Sequence, residues 1–347
     1  MKDIDTATEW YEQNRPLYES LAHKVENIIT ENLEQKGIQY HSVTSRGKSL
    51  ESFNKKAQSE KYTDPVNEIK DMAGIRVITY LESDVTKAVD ILEDLFDIDK
   101  KNSLDQSQLL GSDKLGYRSV HYVAKFNKKR CRLPEYKPYE NLPFEIQIRS
   151  ILQHAWAEIE HDRNYKFTGK LPTQLERRFY LISGMLECAD REFVAIAQEI
   201  DKYKNTVVED LIKGDLNIEI NTTSLREYLA KTFNKLIEKG ILIPNFGTGD
   251  VGATVVEELH LFGISNVRQL DKIIPEDLQD NIIMVKEKTN FAGIIRSILL
   301  IDDLNKYFKS CWRKTWQGIH SESLALLKNY NIKLPDLKKY MKTVDIL

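Results

Sequence analysis

Phe144-Glu145-Ile146-Gln147-Ile148-Arg149 alternates strictly between apolar and polar side chains. With a side-chain period of two, Phe144, Ile146 and Ile148 face one side of a strand, and Glu145, Gln147 and Arg149 the other. Inside a domain such a polar face is costly unless it lines a wet cleft. In a cleft, Glu145 is a candidate acid or base and Arg149 a candidate clamp for an anion. An amphipathic edge strand with its polar side in water gives the same pattern. The residues upstream weigh between the two.

The chain has 347 residues, more than one core comfortably serves, which predicts two domains. Its 50 basic and 53 acidic residues leave a net charge of −3. That balance argues against a dedicated nucleic-acid coat and allows a local basic patch. Cys131, Cys188 and Cys311 are scattered and form no CxxC pair, so nothing points to a zinc site or a disulfide framework. A reducing cytoplasm fits. No run approaches the roughly 20 apolar residues needed to cross a bilayer, and the first ten residues lack the apolar centre of a signal peptide.

Working outward, residues 5–35 carry a helical pattern with Gly37 at its C-terminus, and Pro16 is expected to break it in two. Residues 38–43, 75–81 and 117–126 read as strands that join the focal one, and 85–96 as a helix between them. Residues 104–114 read as loose. A long apolar stripe follows: Leu175, Phe179, Ile182, Leu186, Ala189, Phe193, Ile196 and Ile200. It predicts one helix, with Thr173 as N-cap, that packs across the sheet and buries Met185 and Phe193.

Four islands on this sheet carry chemistry. Arg46-Gly47-Lys48-Ser49, with Lys56, puts cations around a glycine at a strand end, where they can reach phosphates. A solvated basic turn reads the same. Asp71, ahead of Met72-Ala73-Gly74-Ile75-Arg76, is a carboxylate at a strand entrance and suits Mg²⁺, or a turn cap. In Gly116-Tyr117-Arg118-Ser119-Val120-His121, the ring of Tyr117 can stack on a base, and Tyr117, Ser119 and His121 share one face. The fourth island is Glu145 with Gln147 and Arg149. A metal carboxylate, a proton acceptor, a set of cations and a stacking ring together describe nucleotide phosphoryl chemistry.

In order and spacing, these islands resemble the motifs of the RelA/SpoT-type (p)ppGpp synthetases. The match runs through Arg46-x-Lys48-Ser49, Asp71-Met-Ala-Gly-Ile-Arg76, Gly116-Tyr117-Arg-Ser-Val-His121, Glu145-Ile-Gln-Ile-Arg149 and Gln153-His-Ala-Trp-Ala-Glu-Ile-Glu-His161. The resemblance covers roughly residues 1–205. It implies an α+β fold, a mixed β-sheet flanked by helices of the nucleotidyltransferase type. The implied activity is transfer of pyrophosphate from ATP to the ribose 3′-OH of GDP or GTP, with release of AMP. Arg46, Lys48, Ser49, Lys56 and Arg76 would hold ATP, and Asp71 and Glu145 would hold Mg²⁺. Tyr117, His121, Gln147 and Arg149 would meet the acceptor, and Glu145 would take the 3′-OH proton. Asp113 stands where many members carry a lysine before the tyrosine. Some relatives modify the tRNA 3′ end or adenosine nucleotides instead, and the basic run from Lys128 to Arg132 offers phosphate contacts for tRNA or a solvated loop.

Residues 206–224 read as a linker and 225–347 as a mainly α-helical domain without chemical residues. Gly247-Thr-Gly249-Asp-Val-Gly252 fits a dinucleotide fingerprint by letter, but the sequence after it reads as helical, so it is expected to be a turn with Asp250 capping the next helix. The region is expected to take a regulatory partner or a second copy of the chain. Nothing in the sequence indicates a membrane partner.

Overall fold

In the computed structural model, residues 4–105, 119–166, 172–286, 288–312, 318–340 and 345–346 are described. The chain divides into two compact units, Met1–Ala197 and Gln198–Leu347.

The first unit is built on a mixed sheet of strands β1 (Tyr40–Gly47), β2 (Ala73–Thr79), β3 (Asp97–Ile98), β4 (Leu104–Asp105), β5 (Val120–Lys125) and β6 (Phe144–Ser150). Their order is β1-β2-β6-β5-β3, with β4 also paired to β5. The β2–β6 pairing is parallel and the others are antiparallel. The focal strand is therefore central, with β2 on one side and β5 on the other, and the edge-strand reading falls away. The loose segment expected from residue 104 starts with β4, a short strand.

The apolar face of the sheet explains the core. Phe144, Ile146 and Ile148 are fully buried with Ile75 and Val77 of β2. Against them pack α1 (Ile4–Gln35), through Tyr11, Leu21, Val25 and Ile29, and α4 (Glu82–Leu95), through Val85, Ala88 and Leu92. Helix α1 is not broken at Pro16. Buried residues on both sides of the proline hold it, and tertiary packing outweighs one missing backbone hydrogen bond. It ends as expected, with Gly37 at φ 67° and Ile38 donating back to the Leu33 carbonyl.

Two short helices lie between β1 and β2: α2 (Leu50–Gln58) and α3 (Pro65–Glu68). After β6 comes α5 (Ile151–Lys166), entered through a reciprocal cap. The Ser150 amide donates to Gln153 Oε1 at 2.9 Å, and the Gln153 amide to Ser150 Oγ at 3.1 Å.

The long helix α6 (Thr173–Lys213) exists, but it presents a different face from the one expected. Its fully buried residues include Ser183 and Asp190, whereas Ile182, Met185, Phe193, Ile196 and Ile200 are 47–71% exposed. On the buried face, Ser150 Oγ donates to Asp190 Oδ2 at 2.7 Å, deep in the unit. Thr173 is not the cap; the amides of Leu175 and Glu176 bond to the Pro172 carbonyl. The helix also runs through residues 206–213 of the expected linker.

The second unit is mainly helical around its own core, including Leu225, Phe233, Leu259, Phe291, Ile295 and Ile298. Asp250 does not cap the helix Val251–Leu261 with its side chain. Its backbone is at φ −85°, ψ 21°, whereas Asn221, Asn266 and Asn290 are extended and do cap their helices. Gly247 and Gly249 have positive φ, as a turn requires. Among the described residues, no helix is long and apolar enough to cross a membrane.

Candidate active site

The polar face of the sheet becomes a site through strand register. Arg46 pairs with Gly74, Gly74 with Glu145, and Glu145 with Val123. The next row along is Thr44, Arg76, Gln147 and His121. Residues from four separate stretches thus stand side by side on one surface. Gly74 leaves that surface open beside Glu145, since it has no side chain to fill the row.

Asp71 sits at the entrance to β2, held from behind. Tyr11 of α1 is fully buried, stacks on Phe53 of α2 at 4.4 Å, and donates its hydroxyl to the Lys48 carbonyl at 2.8 Å. The Met72 carbonyl lies 3.5 Å from the same hydroxyl and accepts the Lys48 amide at 2.9 Å. Burial pushes the Tyr11 phenol up to about 12, so it remains a donor. The segment carrying Lys48 and the segment carrying Asp71 are thereby tied to each other and to α1. Tyr11 had no mark in the sequence beyond an apolar position on a helix.

Asp71 Oδ2 accepts from the Lys48 ammonium at 2.6 Å and from the Lys56 ammonium at 2.9 Å. Burial alone would raise its pKa, but the two cations outweigh that and hold the carboxyl below its ordinary value. Its other oxygen, Oδ1, is buried and has no hydrogen-bond partner among the described residues. A buried carboxylate oxygen left this way fits a hard cation. Among the described residues there is no cluster of three or more His, Cys, Asp or Glu side chains that could hold a metal by itself.

Glu145 is 17% exposed and doubly held. Its Oε1 lies 3.1 Å from His121 Nδ1 and accepts from Gln147 Nε2 at 3.0 Å. Burial and the nearby Asp71 raise its pKa, while the contacts to His121 and Gln147 lower it, and the lowering prevails. Glu145 is thus an ionised acceptor held through Oε1. His121 Nε2 in turn faces the Arg149 guanidinium at 3.2 Å.

Two basins adjoin along this row. One, of about 100 Å³, is lined by Thr44, Ser45, Arg46, Lys48, Arg76 and Gln147. The other, of about 520 Å³, is lined by Lys56, Tyr62, Lys70, Lys101 and His121 among others. Asp71 and Glu145 line both. Each basin carries several cations, and the two carboxylates stand where they meet. This arrangement can bring two phosphorylated molecules together at a proton acceptor.

Of the residues the sequence singled out, Arg46, Lys48, Lys56, Asp71, Arg76, His121, Glu145 and Gln147 line these basins. Arg76 also pairs with Glu158 of α5 at 3.2 Å. Ser49 lines neither basin; it caps α2, accepting the Ser52 amide at 3.2 Å. Arg149 meets His121 rather than the basin wall. Tyr117 lies outside the described residues. Lys61, Tyr62, Lys70 and Lys101 were not singled out, because isolated lysines in polar loops give no pattern.

Residues 45–170 match the family model described as the region found in RelA/SpoT proteins. The chain is 30% identical over 164 residues to the GTP pyrophosphokinase YjbM of Bacillus subtilis, spanning 46% of this chain and 73% of that one. It is 29% identical over 161 residues to the GTP pyrophosphokinase YwaC of the same organism, spanning 45% and 73%. A solved GTP pyrophosphokinase family protein from Streptococcus pneumoniae superposes with a TM-score of 0.46 at 26% identity, covering 56% of this chain and 96% of that one.

Proposed function

Because the chain belongs to the RelA/SpoT family, we propose that it transfers pyrophosphate from ATP to the ribose 3′-OH of GDP or GTP, making (p)ppGpp and AMP. The observation that carries this reading is the meeting of Asp71 and Glu145 at the border of two cationic basins. A single-substrate hydrolase has no need of the second basin.

In this reading Arg46, Lys48 and Arg76 receive the ATP phosphates in the smaller basin, and the acceptor enters the larger one. The acceptor 3′-oxygen attacks the β-phosphorus of ATP and forms a new P–O bond. The bond from that phosphorus to the bridging oxygen of the α-phosphate breaks, and AMP leaves with the electron pair. A ribose hydroxyl is a poor nucleophile near neutral pH, so Glu145 accepts its proton. The His121 and Gln147 contacts fix the carboxylate in place for that task. The lysines on Asp71 are positioned to turn toward incoming phosphate, and the surrounding cations neutralise charge as the transfer proceeds. Asp71 Oδ1, with Glu145, would hold Mg²⁺, which supplies charge neutralisation at the phosphate oxygens. Holding two nucleotides in line contributes much of the acceleration.

Incubating the full chain with ATP labelled in its β,γ-phosphates and GDP, GTP, ATP or tRNA tests the proposal. Label on a guanosine nucleotide, dependent on Mg²⁺, is expected. Label on RNA alone, or no transfer, would overturn it.

A further inference from the structure

Helix α5 begins where β6 ends. The reciprocal cap of Ser150 and Gln153 sets its first turn, and the helix lies against β6 and β2. His154 and Glu158 stand four residues apart, so both fall on one face of it. The charges of Arg76 on β2 and Arg149 on β6 act on this face.

Arg76 lines the smaller basin, and Glu158 holds it there: Arg76 Nη1 lies 3.2 Å from Glu158 Oε1. Among the described residues, Glu158 is not part of the basin wall itself. The two side chains are 31% and 55% exposed. A pair so open to water contributes at most about 1 kcal/mol to stability. What it does fix is direction. A guanidinium carries five N–H donors in one plane, and this contact occupies one nitrogen, leaving the others for an incoming anion.

His154 is the other neighbour of that carboxylate, and it leaves Oε1 to Arg76. Its Nδ1 lies 3.8 Å from Glu158 Oε1, too far for a hydrogen bond, and is buried with no hydrogen-bond partner among the described residues. Burial, and then the charge of Arg76, hold the ring below its ordinary pKa, so it is neutral near pH 7. A neutral ring does not draw the carboxylate away.

We propose that Glu158 is a positioning residue for the donor: it holds Arg76 in the direction from which the guanidinium meets the ATP phosphates. This deepens the functional reading above and rests on it for the identity of the donor. An arginine side chain carries about 2 kcal/mol of rotamer freedom, which is lost when the chain is fixed. Glu158 takes up part of that loss before ATP arrives, so donor affinity is higher. The same carboxylate also places a negative charge near the donor phosphates, which by itself weakens binding. The two effects have opposite signs, so the sign of a substitution separates them.

The test is calorimetry on the full chain, without acceptor, using an ATP analogue with a methylene bridge between its α- and β-phosphates. Glu158→Ala is expected to weaken its binding about fivefold, about 1 kcal/mol. Glu158→Gln keeps an oxygen for Arg76 and should lose less than about twofold. In an Arg76→Ala background, Glu158→Ala should add less than about twofold, because the side chain it orients is gone. Initial rates should place the loss in KM for ATP, with kcat and KM for GTP within about twofold. A Glu158→Ala variant that binds the analogue as well as the unmodified chain, or more tightly, would overturn the inference. So would an undiminished loss in the Arg76→Ala background, or a loss confined to kcat. Analogue binding that follows the expected pattern in a chain that transfers no pyrophosphate would keep the positioning role and sink the proposed function.

Discussion

Tyr11→Phe removes one oxygen and keeps the ring. The stacking on Phe53 at 4.4 Å is untouched, so no cavity opens. What is lost is the 2.8 Å hydrogen bond to the Lys48 carbonyl, together with the weaker 3.5 Å approach to the Met72 carbonyl. The Met72 carbonyl keeps the Lys48 amide as donor, but the Lys48 carbonyl is left short of a partner in a closed environment. One hydrogen bond and one under-satisfied acceptor come to about 1–2 kcal/mol of stability. For a unit the size of Met1–Ala197, that is a fall of about 2–8 °C in Tm. The functional effect comes through position. The bond ties the Lys48 segment to the helix that also backs Asp71, and a displacement of about 1 Å at a reacting centre costs up to ~100-fold in rate. Thermal melts and initial rates against ATP and GTP check both parts. A drop in kcat/KM for ATP of about tenfold, larger than the drop for GTP, is expected. A variant with unchanged Tm and unchanged ATP kinetics would refute the claim that Tyr11 positions Lys48 and Asp71.

Glu145→Gln keeps shape and loses the proton acceptor, so transfer should fall by about 10²–10⁴ while equilibrium dialysis shows both nucleotides still binding. Asp71→Asn should abolish the response of activity to added Mg²⁺ or Mn²⁺, and metal titration of the ATP complex should show weakened binding. The carboxyls of Asp71 and Glu145 both lie below their ordinary values in the folded chain. Their contribution to stability is therefore present above the unfolded carboxylate range near ~4 and is lost as pH falls through the depressed folded values. Melts across that acid range should show a fall in Tm that is shallower in the Asp71→Asn variant; an identical slope would remove Asp71 from the account.

The sheet was legible because its strands are short, alternating and separated by turn residues, and because one face had to be apolar to close a core. That face also dictated the other: once Phe144, Ile146 and Ile148 were buried, Glu145 and Gln147 were committed to a shared polar surface. Asp71, Lys48 and Lys56 were legible as residue types, and their convergence on one carboxylate oxygen was not.

Local pattern misled at helix faces and ends. The stripe on the long helix α6 suggested the wrong buried side: the face turned inward carries Ser183 and Asp190, and Asp190 accepts from Ser150. Pro16 suggested a break that packing overrode. Asp250 stands at the N-cap position as expected, but its side chain makes no capping bond.

By itself, then, the amino-acid order determined which residues could carry phosphoryl chemistry and which side of each strand they occupied, since both follow from side-chain type and a period of two. Only the tertiary structure decided that the β2–β6 pairing is parallel, which sets Gly74 beside Glu145. It alone brought the lysines of two distant loops to the same basin. Register and loop placement depend on contacts between segments far apart in the chain, and no local window holds them.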